Sequence, residues 1–212
     1  MGKIYITRHG ETEYNLKRLM QGTIDTKLSK RGLEQAACLR DRLADISFDR
    51  VLASPLQRAR VTAETILENR SQSIEFFDEL KEMDFGFMQG KDYEFLGREH
   101  PELFEQYSTA PADFTIPEGD SFRGFQKRVL TILDEVEKMD ESESVLIVCH
   151  GITKLILVNE LKGIPLEQLW DTEVAGNTAL TLFERTSDGL VLHFENDQSH
   201  LDEDIAVYSC KG

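Results

Sequence analysis

The chain predicts a three-layer α/β/α sandwich on a mostly parallel central sheet. Three observations carry this. Strand-like runs alternate with helix-length amphipathic patterns, the rhythm of parallel strands joined by covering helices. The run "SVLIVC" is apolar throughout, as expected for a strand covered on both faces. A length of 212 residues, 40% hydrophobic and 30% charged, suits one globular domain with room for an insertion.

The strands are expected at Lys3–Thr7, Arg50–Ala53, Ile74–Phe77, Ser144–Cys149, Ala179–Phe183 and Leu190–Phe194. Between them, "SKRGLEQAACLRDRLADI" sets Leu33, Ala36, Ala37, Leu39, Arg40 and Leu43 near helical spacing, with Ser29 as N-cap. "SPLQRARVTAETILEN" opens on Ser-Pro, which places proline at the first helical position behind a capping residue. Phe122–Met139 and Ile152–Leu161 also read as helices. The stretch Lys91–Glu118 breaks the rhythm, with Pro101, Pro111 and Pro117 and aromatics at Tyr93, Phe95, Phe104, Tyr107 and Phe114. It reads as an insertion, about 91–118, that forms a small helical cap over one edge of the sheet within a single domain, 1–212.

Composition narrows the function. The net charge of −15 disfavours nucleic acid or an anionic membrane as partner but leaves a small anionic metabolite open, because a local cluster of Arg and His can oppose the global field. Cys38, Cys149 and Cys210 are odd in number and lack CxxC spacing, so neither a disulfide framework nor a zinc site is expected and a reducing cytoplasm fits. No leader opens the chain and no apolar run is long enough to span a bilayer. A P-loop and HExxH spacing are both absent, so no cofactor and no metal is expected. A monomer and a homodimer are equally compatible with these residues.

Ligands of open α/β sheets sit at the carboxyl ends of the strands. That rule gathers Arg8, His9 and Gly10 after the first strand, Ser54 and Arg58 after the second, and His150 and Gly151 after "SVLIVC". Two guanidinium forks match a phosphate. A neutral imidazole can attack phosphorus and carry the phosphoryl group, while a second histidine donates to the oxygens on which charge develops. The leaving alcohol then needs a proton. Glu82 in "ELKEMDFGFMQG" is the candidate acid, with Glu79 and Asp84 as competitors. His193 and His200 read as structural or surface groups, and Cys149 as a core residue.

The segments "ITRHGETEYN", "QGTIDTKLSKRGLEQA", "VLASPLQRARVTAETI", "ELKEMDFGFMQGK", "PEGDSF", "VLIVCHG" and "AGNTALTLF" run in order along nearly the whole chain. In these the chain resembles the histidine phosphatase superfamily, in the branch of cofactor-dependent phosphoglycerate mutases and related phosphatases. The resemblance implies a phosphoglycerate mutase-like fold and a phosphohistidine at His9. It implies that Arg8, Arg58 and His150 hold the phosphoryl group, that Glu82 serves as acid and then base, and that Asn15, Gln21, Gly22 and Gly151 line the pocket. The resembling mutases carry extra basic residues after the acid and a tyrosine where Phe85 stands. Here the Lys91–Glu118 segment offers Lys91 and Arg98 as basic groups and carries Asp92, Glu94, Glu99, Glu102, Glu105 and Asp113 as acids. A phosphomonoester hydrolase acting on a small phosphorylated metabolite is therefore expected. The alternatives are a cofactor-dependent phosphoglycerate mutase and a catalytically inactive phosphate-binding protein. Phosphosugars, phosphoserine, phosphoglycerate-like acids and α-ribazole phosphate remain open as substrates.

Overall fold

Six strands form one sheet: β1 (Lys3–Arg8), β2 (Arg50–Ala53), β3 (Glu75–Phe76), β4 (Val145–Cys149), β5 (Leu180–Thr186) and β6 (Gly189–Asp197). Their order is β3-β2-β4-β1-β5-β6, in a computed structural model that describes residues 1–205. The pairs β1–β4, β2–β4 and β2–β3 are parallel, and β5 and β6 are added antiparallel at one edge. Cys210 lies outside the described residues, and Cys38 and Cys149 are free thiols.

Strand alternation builds the two interior layers. All five side chains of β4 are buried. Val145, Ile147 and Cys149 share one cluster with Ile4 and Ile6 of β1, Leu52 of β2, and the apolar faces of α6 (Phe122–Glu137) and α7 (Gly151–Lys162). Leu146 and Val148 share the opposite cluster with Tyr5, Val51 and Ala53, under α2 (Lys30–Arg42) and α3 (Gln57–Ile66). A short α1 (Glu13–Leu16) follows the β1 loop, and α4 (Tyr93–Glu99) and α5 (Pro101–Thr109) lie in the proline-interrupted stretch.

Local signals set several boundaries. Ser29 caps α2 by accepting from Gly32 N, and Ser121 caps α6 by accepting from Gly124 N. The Ser-Pro expectation fails: α3 starts at Gln57 behind Leu56, with no side-chain cap. Ser54 is otherwise engaged, as described below. Leu33, expected on the buried face of α2, is 45% exposed, and Gly32, Gln35, Ala36 and Leu39 form that face instead. Ala36, Leu39 and Leu43 are buried as their spacing predicts, and Gly32 and Gln35 take the place that Leu33 leaves.

Gly32 is interior because α2 meets the loop after β1 backbone to backbone. A Cβ at residue 32 would lie 2.0 Å from the Glu11 carbonyl oxygen. Glu11, 1% exposed, draws the two together: its carboxylate accepts from Ser29 Oγ at 2.7 Å and from Arg31 Nε at 3.0 Å. Glu11 thus fixes the loop that carries His9. Gly32→Ala should lower stability by about 2–3 kcal/mol, since backbone cannot yield to the added methyl. Urea unfolding reads this directly, and a change below about 0.5 kcal/mol would mean the loop is free to move.

Candidate active site

Arg58 joins the carboxyl ends of three adjacent strands. The order β2-β4-β1 makes these ends neighbours. The ladder continues past them through His9 N to Cys149 O at 3.0 Å and Ser54 N to Val148 O at 3.0 Å. His9 therefore follows β1, and His150 follows β4 as the N-cap of α7. Arg58 lies in the first turn of α3. All three are buried, at 2%, 0% and 1% exposure.

Their hydrogen bonds define the protonation pattern. Arg58 Nε–H is shared between His9 Nε2 at 3.3 Å and His150 Nδ1 at 3.1 Å. Both ring nitrogens must be acceptors, because the guanidinium only donates. The other ring nitrogens complete the assignment. His9 Nδ1–H donates to Gly10 O at 2.6 Å, and His150 Nε2–H donates to Ser54 Oγ at 2.7 Å. Burial, and then the nearby arginines, hold both imidazoles well below the usual histidine pKa. His9 thus presents a neutral Nε2 lone pair to the space between the two rings, whose centroids are 5.2 Å apart.

The cationic groups are fixed by backbone. Arg58 donates from Nη1 to Ile24 O at 2.8 Å and from Nη2 to Gly22 O at 2.7 Å. Burial pushes its pKa down to about 10, against a raising contribution from Glu82, so it stays charged at neutral pH. Arg8 Nη1 donates to Ala175 O at 2.7 Å, and a Cβ on residue 151 would lie 3.6 Å from Arg8 Cζ, which sets Arg8 beside Gly151.

Glu82 is 7% exposed and sits at the N-terminus of α7. Its Oε2 accepts from Ile152 N at 3.0 Å. Its Oε1 accepts from Thr153 N, Thr153 Oγ1 and Met83 N, each at 3.1 Å. The carboxyl is thereby fixed within three residues of His150. Neither competitor makes this contact: the recorded bond of the Asp84 carboxylate is to Gly86 N at 2.9 Å, and Glu79 contributes its carbonyl to Arg128.

The remaining expected residues form a collar. Asn15 Oδ1 accepts from Thr12 N at 3.1 Å, Thr12 Oγ1 at 3.0 Å and Asn177 Nδ2 at 3.3 Å, so the donor end of its amide is turned away from that cluster. Gln21 Oε1 takes the hydroxyls of Thr12 at 2.9 Å and Thr26 at 2.7 Å. Gly22 acts on the site through its carbonyl on Arg58.

Four supporting residues were not anticipated in their roles. Ser54 orients His150 rather than capping α3. Thr62 takes Gly10 N–H at 3.0 Å and donates to Arg58 O at 2.7 Å. Asn177 donates to His9 O at 3.1 Å. Lys154, fully buried with its pKa pushed down to about 7 by burial, donates from Nζ to Ala179 O at 2.6 Å and ties down the segment holding Asn177. The signal available in the sequence was the polar "GNT" in front of an apolar strand and a lysine inside an apolar helix. His193 pairs with Glu184 at 2.7 Å, and His200 contacts Oγ1 of Thr178 at 3.3 Å, a residue whose N–H donates to Arg8 O at 3.1 Å. Among the described residues no group of three or more His, Cys, Asp or Glu is set to hold a metal, and no helix is long and apolar enough to cross a membrane.

The profile of the histidine phosphatase superfamily (branch 1) matches residues 4–198. The chain belongs to this superfamily. Within it, the chain is 32% identical over 200 residues to a protein of Hydrogenobacter thermophilus provisionally named phosphoserine phosphatase 2, covering 94% of this chain and 98% of that one. It is 31% identical over 172 residues to the adenosylcobalamin/α-ribazole phosphatase of Escherichia coli, covering 81% and 85%. Among solved structures, Bacillus stearothermophilus YhfR superposes with a TM-score of 0.87 at 31% identity over 94% of this chain and 99% of that one.

The two neutral histidines make stability depend on pH in a defined direction. Below about pH 6.5 the unfolded chain takes up protons that the folded rings refuse, so stability is lost as pH falls from there through the lowered folded values. The melting temperature should drop between about pH 6.5 and 5. His150→Gln should make that drop shallower; an unchanged slope would mean that His150 is not held neutral.

Proposed function

We propose that the protein hydrolyses a phosphomonoester of a small metabolite through a phosphohistidine at His9. One observation carries this reading: a single Arg58 N–H joins the two histidines, with His9 Nδ1–H tied to Gly10 O and its Nε2 lone pair facing the cation. A phosphoryl group entering there meets nucleophile and counter-charge together.

The steps follow from the groups in place. Arg8, Arg58 and the donor end of Asn15 receive the phosphate oxygens, along with the Gly151 N–H, since Glu82 takes the next two N–H groups of α7. With a dianion beside it, His150 gains a proton and donates from Nδ1. His9 Nε2 attacks phosphorus, the P–O ester bond breaks, and the leaving oxygen takes a proton from the Glu82 carboxylic acid. Water then attacks the phosphohistidine, Glu82 accepts its proton, the P–N bond breaks and phosphate departs. Chain residues supply every charge and proton in this sequence.

Hydrolysis is favoured over mutase chemistry by the stretch after Glu82. Its two basic residues are already engaged: Lys91 Nζ lies 5.0 Å over the Phe95 ring, and Arg98 Nε pairs with Glu99 at 2.7 Å. Asp92, Glu94, Glu99, Glu102, Glu105 and Asp113 are all exposed, so this segment offers a second anionic arm an acidic surface. A resemblance at 31% identity to a probable phosphoglycerate mutase of Escherichia coli, over 78% of this chain, keeps the mutase as the second reading. The first relatives are named for phosphoserine and α-ribazole phosphate, both phosphomonoesters, and these head the substrates to screen.

His9→Ala should abolish both turnover of p-nitrophenyl phosphate and the acid-labile phosphoenzyme trapped by rapid quench; wild-type turnover in that variant would sink the nucleophile assignment. Glu82→Gln should cut kcat/KM for phenyl phosphate by about 100-fold but for p-nitrophenyl phosphate by only a few fold, because a good leaving group needs little protonation. Equal losses would reassign Glu82 to a structural role.

A further inference from the structure

The segments "ELKEMDFG" and "PEGDSF" were singled out in the sequence, yet only Glu82 within them has a part in the chemistry. The residues around it are bound to one side chain. Arg128, from the second turn of α6, donates from Nη1 to the carbonyls of Glu79 at 3.0 Å, Lys81 at 3.0 Å and Asp78 at 3.3 Å. Its Nη2 donates to the carbonyl of Glu82 itself at 3.2 Å and to Asp120 Oδ2 at 3.3 Å. Its guanidinium lies 4.9 Å over the Phe125 ring. Five acceptors lie around its two terminal nitrogens, more than the three N–H groups of an ammonium would serve.

Asp120 closes the arrangement from the other side. Its Oδ2 accepts from Asp84 N at 2.9 Å, and its own N–H donates to Asp84 O at 2.9 Å. The two loops touch backbone to backbone there: a Cβ at Gly119 would lie 2.6 Å from Asp84 O. Residues 78–82 form no sheet ladder and only a single 3-10 turn, Asp78–Leu80; Asp78 O also takes Lys81 N–H at 3.0 Å and Lys81 O the Thr153 hydroxyl at 3.3 Å, while the Glu79 and Glu82 carbonyls are met by Arg128.

We infer that Arg128, with Asp120, is the positioning residue for the proton donor: it fixes the main chain of Glu82 while α7 fixes the carboxyl. The inference rests on Glu82 being that donor. A carboxyl held at both ends keeps its distance to the leaving oxygen, and proton transfer requires that distance to within a few tenths of an ångström. Loosening the main chain should therefore harm the step in which a proton is delivered, and leave attack by His9 nearly intact.

The test is leaving-group dependence. Arg128→Met, Arg128→Lys, Asp120→Asn and Glu82→Gln are compared by kcat/KM on phenyl and p-nitrophenyl phosphate, with melting temperatures alongside. Arg128→Met should lose about tenfold or more on phenyl phosphate and no more than about threefold on p-nitrophenyl phosphate, with Arg128→Lys in between. Should Arg128→Met fail to fold, the same ratio is read in Arg128→Lys and Asp120→Asn. Equal loss on both substrates, or none on either, overturns the inference. If Glu82→Gln shows the split and the Arg128 variants do not, the positioning role fails alone; if Glu82→Gln shows none, the proton-donor reading fails and takes this one with it.

Discussion

One N–H group organises the catalytic end of this molecule. Arg58 Nε donates to both histidines at once, and this is possible only because both rings are neutral and both turn a lone pair inward. Each neighbouring contact serves that condition. Gly10 O and Ser54 Oγ take the protons on the far sides of the rings. Gly22 O and Ile24 O each take one N–H of the two terminal nitrogens of the guanidinium. A buried cation with good carbonyl partners is tolerable, whereas one facing two imidazolium rings would not be. Burial keeps both histidines unprotonated, and the Arg58 charge adds to that effect.

The charge of the molecule and the charge of the site have opposite signs, and the fold separates them. The chain carries a net −15, and Asp92, Glu94, Glu99, Glu102, Glu105 and Asp113 lie at its surface. Arg58 and the two histidines lie inside, where water screens them little. A phosphate reaching them exchanges a repelling exterior for a short-range, desolvated pair of forks, which favours ligands whose anionic part is small enough to enter.

Much of this was legible in the sequence because it follows from the backbone. The apolar "SVLIVC" run fixed the centre of the sheet, and the strand-end rule then put Arg8, His9, Arg58 and His150 on one rim before any contact was known. What escaped detection depended on side-chain geometry across long sequence separations. Ser54 has the form of a helix cap in "SPLQ", and only the approach of His150, 96 residues away, gives it a different partner. Asn177 meets His9 from 168 residues away, and its only local mark is the polar "GNT" in front of an apolar strand. Leu33 was misplaced because the interior face of α2 is built from Gly32 and Gln35, small or polar residues that burial patterns read as surface. Glu82 stood among three acids until the N-terminus of α7 selected it.

The two halves of the reaction rest on different kinds of structure. In the proposed reaction the groups that grip and attack the phosphate stand at the ends of adjacent strands, at the centre of a packed sheet. The proposed proton donor, Glu82, stands on irregular chain, held by the Arg128 side chain of α6 and by N–H groups of α7. Change in the first half disturbs the centre of the sheet, while change at the exposed positions of α4 and α5 leaves both the sheet and the buried Met83, Phe85, Leu96, Tyr107 and Phe114 in place. Such a molecule is free to drift from one alcohol to another over evolutionary time while its phosphorus chemistry stays fixed, and a designer seeking a new substrate would leave the sheet and Asp120 alone and vary those exposed positions.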